Sequence, residues 1–97
     1  MTTITERVAA GAAFLDEHDY RWFRHVDVAS LRLEDCFSCV LGQLTGRYRD
    51  GLDQFGLDAA RAVDLGFAEL GFLVADCDYP ALTAEWKRVI TERRAAS

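Results

Sequence analysis

Apolar residues recur at steps of three and four from the start of the chain. Ile4, Val8, Ala12 and Leu15 share one arc of a helical wheel, and Thr3 with Glu6 has the spacing of a capping box. This pattern predicts a first helix over residues 3–17, with Glu6, Ala9, Ala10 and Ala13 on its outer face. The period then fails. His18 to Val26 holds three aromatics, two arginines and two histidines in nine positions, which reads as a connector with at most a helical turn. Asp27 is placed to cap a single turn over Val28 to Leu31.

The run Asp35-Cys36-Phe37-Ser38-Cys39-Val40-Leu41-Gly42-Gln43-Leu44-Thr45-Gly46 carries its own start, stripe and stop. Glu34 or Asp35 is the expected cap. Read as one continuous helix, it places Phe37, Val40, Leu41 and Leu44 on a buried arc, Cys36, Cys39 and Gln43 beside that arc, and Gly42 nearly opposite. Gly46 ends it, and Tyr48, Leu52 and Phe55 stripe a second helix closed by Gly56, so the pair predicts a tight helical corner. Asp58 caps a further piece over Ala59 to Leu65, after which Gly66 stops the helix and Phe67 folds back as an apolar plug. Glu69 to Asp76 fits either a short buried strand or an irregular tail. Asp78 and Pro80 open a last helix in which Leu82, Trp86, Val89 and Ile90 share a face, and Arg93 with Arg94 suits the negative pole at its end.

These elements predict an all-α fold, a compact bundle of four to five short helices forming one domain over residues 1–97. Eleven basic against sixteen acidic residues, a formal net charge of -5, argues against unspecific nucleic-acid binding. The longest nearly uncharged apolar stretch, Leu65 to Ala75, contains Glu69 and falls short of the ~20 residues of a membrane span. The first residues lack the basic start and apolar run of a secretory signal, which predicts a cytoplasmic protein that keeps its three cysteines as thiols.

At Cys39-Val40-Leu41-Gly42-Gln43-Leu44 with Gly46 and Tyr48, then Leu65-Gly66-Phe67, Leu82-Thr83 and Trp86, the chain resembles small uncharacterised proteins encoded by actinobacteria and their bacteriophages. The likeness runs from about Leu15 to Ile90 and takes in Trp22, Asp27 and Leu31. It implies a phage or actinobacterial origin, an all-helical build and an inward-facing Trp22, and it conveys no catalytic residues. Asp19-Tyr20-Arg21 departs from the Pro-Gly often found there in the relatives, which leaves the connector's shape open.

Candidate chemistry is sparse. Cys36 and Cys39 lie three apart, and with Cys77 and either His25 or His18 they form a conceivable zinc set, although the second closely spaced pair of a usual zinc motif is missing. A thioredoxin-like Cys36 lacks the surrounding βαβ pattern, and the carboxylates of Glu34 and Asp35 oppose a thiolate there. His18 and His25 lie near Asp16, Asp19 and Asp27, but no nucleophile stands beside them in the sequence. A helix-turn-helix reading of the Gly46 corner would present Arg47, Tyr48 and Arg49, with Asp50 and Asp53 against it. Binding hot spots are rich in aromatics and arginine, so Tyr20, Arg21, Phe23 and Arg24 are the expected partner-binding residues. The sequence thus predicts a non-enzymatic protein without cofactor that binds another protein. A zinc-binding or thiol-dependent regulatory module using Cys36, Cys39 and Cys77 is the alternative.

Overall fold

Thr3 opens the first helix, α1 (Ile4–His18), by accepting the Glu6 amide on its hydroxyl at 3.1 Å. This is the first element of a computed structural model that describes residues 3–19, 21–69 and 78–96. A 3-10 turn (Trp22–His25) follows, then α2 (Val40–Thr45), α3 (Tyr48–Phe55), α4 (Ala59–Asp64) and α5 (Tyr79–Ala96). Five α-helices and no strand occur among the described residues, as an all-α bundle requires. Its radius of gyration, 12.2 Å, is close to the ~12.5 Å expected of a globular chain of this length.

Local signals set most boundaries. Asp58 accepts the Arg61 amide at 2.7 Å to start α4, and Asp78 accepts the Ala81 amide at 3.2 Å in the first turn of α5. After α4, the Phe67 amide reaches back to the Ala62 carbonyl and the Gly66 amide to that of Val63. This Schellman closure needs a left-handed residue, and Gly66 supplies it at φ 73°. The chain reversal drops Phe67 into the core, where it is buried as anticipated.

The first and last helices lie side by side, α4 packs on α1, α2 and α3 form a corner, and the 3-10 turn touches α5 and α2. Trp86 occupies the centre. Its ring stacks on Phe67 at 5.5 Å and 12°, meets Trp22 edge-on at 5.7 Å, and donates Nε1–H to the Gly66 carbonyl at 2.6 Å. Val8, Ala12, Leu15, Leu82 and Ile90 belong to the same buried cluster. Arg7 fastens α1 to α4 and to the chain just beyond it. Its guanidinium donates to the carbonyls of Val63 and Ala68 at 2.8 and 2.7 Å and pairs with the Glu69 carboxylate at 2.9 Å, largely out of water. Residues 70–77, which hold most of the stretch read as strand or tail, lie outside the described residues, as do Tyr20 and Cys77.

The central run departs from its expected form. Asp35 does cap a turn, accepting the Phe37 and Ser38 amides at 2.8 and 3.1 Å, and the Cys39 amide closes on the Asp35 carbonyl at 3.0 Å. That turn is not continued. Cys39 is extended (ψ 172°) and starts α2 afresh, its sulfur accepting the Gly42 amide at 3.2 Å as a side-chain N-cap. Breaking the helix here rotates Phe37 off the expected buried arc, and it is 60% exposed. Gly42 turns inward, against the backbone of the preceding turn. A Cβ on Gly42 would lie 2.3 Å from the Cys36 carbonyl oxygen.

Candidate interaction surface

The connector is divided between core and surface. Trp22 is wholly buried, and Phe23 is only 7% exposed, packed edge-on against Trp22 at 6.0 Å. Phe23 is therefore withdrawn from the predicted partner-binding set, because its ring is already spent on the core. The two arginines remain outside. Arg21 and Arg24 are exposed, and the Arg24 guanidinium lies over the outer side of Phe23, 5.8 Å from the ring centroid. Arg94 of α5 fixes the backbone beneath them, donating to the carbonyls of Phe23 and Val26.

Phe37 was not legible as a surface residue from its place in the apolar pattern. It is the large exposed apolar side chain among the described residues, at the tip of the turn that Asp35 caps. That turn is braced from several directions. Gln43 acts as a strut, donating Nε2–H to the carbonyls of Asp27 and Ser38 at 3.1 and 3.0 Å while accepting the Asp27 amide at 2.6 Å. The Cys36 carbonyl accepts the Tyr48 amide at 2.8 Å, and the Ser38 carbonyl accepts that of Arg32 at 3.2 Å. No sequence signal marks the tip, because Asp35 reads as the cap of a continuous helix and cysteine is not a usual capping residue.

The remaining candidate groups do not converge. Cys36 and Cys39 border a small cavity of about 100 Å³, whereas His18 and His25 border a different one of about 300 Å³ with Asp19 and Gln54. Among the described residues, no three His, Cys, Asp or Glu side chains are grouped as a metal would need. Cys36 is exposed and Cys39 buried, and burial pushes the Cys39 thiol up from its ordinary pKa. His18 is committed to local packing, its Nδ1 bonded to the Phe14 carbonyl at 2.9 Å and its ring 4.2 Å from that of Phe14.

The carboxylates near the histidines have other tasks. Asp27 accepts the Ala29 amide and the Ser30 hydroxyl, and Asp19 accepts the Arg21 amide. Asp16 joins three elements: it accepts Trp22 Nε1–H at 2.8 Å and pairs with Arg93 of α5 at 2.8 Å. The Arg93 hydrogen bond is the main reason its carboxyl titrates below the usual value of 3.8, with Trp22 helping and desolvation opposing. A lowered folded pKa contributes stability that is present above the unfolded value and lost as pH falls through the folded one. Urea titrations across the acid limb should therefore show part of the wild-type loss of stability missing in Asp16→Asn. The side chain is well solvated, so the missing part should amount to about 1 kcal/mol or less.

At the corner between α2 and α3, Arg47 and Arg49 are exposed, while Tyr48 is half-buried and its phenol is pushed up, chiefly by desolvation. Arg47 pairs with Asp50 at 3.9 Å, an acidic neighbour that weakens a phosphate-facing surface. No helix among the described residues is long and apolar enough to cross a membrane. No protein-family model, curated protein or solved structure matches the chain.

Proposed function

We propose that this chain is a non-enzymatic interaction protein that binds another protein, with Phe37 as its anchor and Arg21 and Arg24 as a second, cationic contact. The observation that carries the reading is a 60% exposed phenylalanine on a turn whose amides are already bonded to Asp35. An aromatic leaving water contributes roughly 1.5–3 kcal/mol. A turn fixed before contact spares much of the ordering cost that a mobile loop would carry. The resemblance to phage and actinobacterial proteins directs the search for the partner to the proteins of an actinobacterial host.

The test compares capture by wild type, Phe37→Ser and Arg21→Ala/Arg24→Ala from such a lysate, with mass spectrometry of what is retained. All three should give the same circular dichroism, and Phe37→Ser the same melting temperature, since none of these side chains fills the core, whereas Arg24→Ala gives up its contact with the Phe23 ring. A protein retained in stoichiometric amount by wild type should be lost with Phe37→Ser and weakened with the double arginine variant. Equal retention by Phe37→Ser would remove the anchor from the proposal. Stoichiometric zinc in protein purified without a metal-affinity tag would favour the regulatory module built on Cys36, Cys39 and Cys77.

A further inference from the structure

We propose that Cys36 and Cys39 are an oxidisable dithiol, a modification site at which peroxide converts the two thiols into a disulfide closed around Phe37 and Ser38. The turn between them is shut by the Cys39 amide on the Asp35 carbonyl at 3.0 Å. Across such a turn, Cα atoms three positions apart lie less than about 7 Å from one another. A disulfide needs Cα atoms about 4.4–6.8 Å apart, so the backbone is already within reach of one. Both residues also border the same cavity of about 100 Å³, which gives the sulfurs room to approach. The Cys39 thiol points back over the turn, donating weakly to the Cys36 carbonyl at 3.9 Å.

Exposure decides the order of events. Cys36 is open to solvent and Cys39 is not, so peroxide meets Cys36 first. The Cys36 thiolate attacks one peroxide oxygen, the O–O bond breaks, hydroxide leaves, and the sulfur, oxidised by two electrons, becomes a sulfenic acid. The Cys39 sulfur then attacks the Cys36 sulfur, the S–S bond forms, and the sulfenic oxygen departs as water with the Cys39 proton. Burial protects Cys39 from direct oxidation while leaving it beside its neighbour. The product ring takes in Phe37 and draws the Cys39 sulfur off the Gly42 amide that it now caps. An effect on partner binding rests on the role of Phe37 argued above. The disulfide itself does not.

The experiment treats the full chain carrying Cys77→Ser with hydrogen peroxide, blocks remaining thiols with N-ethylmaleimide, and weighs the tryptic peptide spanning residues 33–47, which contains both cysteines. The expected peptide lacks two hydrogens, carries no maleimide, and regains both thiols with dithiothreitol. Adding Cys36→Ser should leave Cys39 reduced and labelled once the protein is unfolded. Wild-type protein mapped in the same way keeps the test valid should the Cys77 variant fold poorly. Sulfinic acid at Cys36 beside a free Cys39, or a bond from either residue to Cys77 in wild type, would overturn the proposal.

Discussion

Trp86→Ala is expected to lose a large share of the stability of the fold. Removing a large buried aromatic costs about 3–5 kcal/mol, against a total of roughly 5–15 kcal/mol for a domain of this size. Three partners lose their contact at once: the stacked Phe67, the edge of Trp22, and the Gly66 carbonyl that Trp86 Nε1–H satisfies at 2.6 Å. Trp86→Phe separates the contributions, since it keeps a ring on Phe67 and removes only the donor and part of the volume. Its cost should be smaller, about 1–3 kcal/mol for an unpaired buried carbonyl. Urea unfolding followed by far-UV circular dichroism measures both. A Trp86→Ala midpoint within about 0.5 kcal/mol of wild type, the range of surface substitutions, would mean that the centre of the core has been misplaced.

Gly11→Ala should destabilise the protein although helix propensity alone points the other way. Alanine in a helix interior is favoured over glycine by about 1 kcal/mol. On α1, however, a Cβ at position 11 would lie 1.9 Å from the Leu65 carbonyl oxygen and 3.0 Å from the Trp86 ring. The obstacle is backbone at the end of α4, so α1 itself must move. Overpacking of this kind costs up to about 3 kcal/mol or more, which exceeds the propensity gain. Ala10→Gly is the control: position 10 is exposed, and the loss there should be the propensity difference of about 1 kcal/mol. A stabilised Gly11→Ala would show that α1 does not approach α4 and α5 as closely as described.

The features legible in the sequence are those whose physics is local. Thr3 with Glu6, Asp58 and Asp78 each satisfy amides within a few residues of themselves, and Gly66 permits a backbone conformation that other residues resist. The stripe of Leu82, Trp86, Val89 and Ile90 follows from helical period and is buried as read. Phe37 was misplaced because periodicity assumes an unbroken helix, and a cysteine sulfur is not among the usual capping groups. Gly42 has a reason that only the folded chain reveals, the carbonyl of Cys36 pressed against it. The polar clasps were invisible for a similar cause: Asp16 and Arg93 are 77 positions apart, and Arg7 and Glu69 are 62. Charge pattern does not pair groups so distant. Within the run Cys39 to Gln43, Cys39 caps, Gly42 permits close approach and Gln43 braces a loop, so those positions are explained by architecture.

The pairing of α1 with α5 also governs when the molecule can finish folding. During synthesis the inner face of the opening helix, Val8, Ala12 and Leu15, emerges long before Trp86, Val89 and Ile90 exist to cover it. Until α5 leaves the ribosome that oily stripe lacks its main cover, so nascent chains stalled before position 86 should adhere to chaperones more than chains that extend past α5.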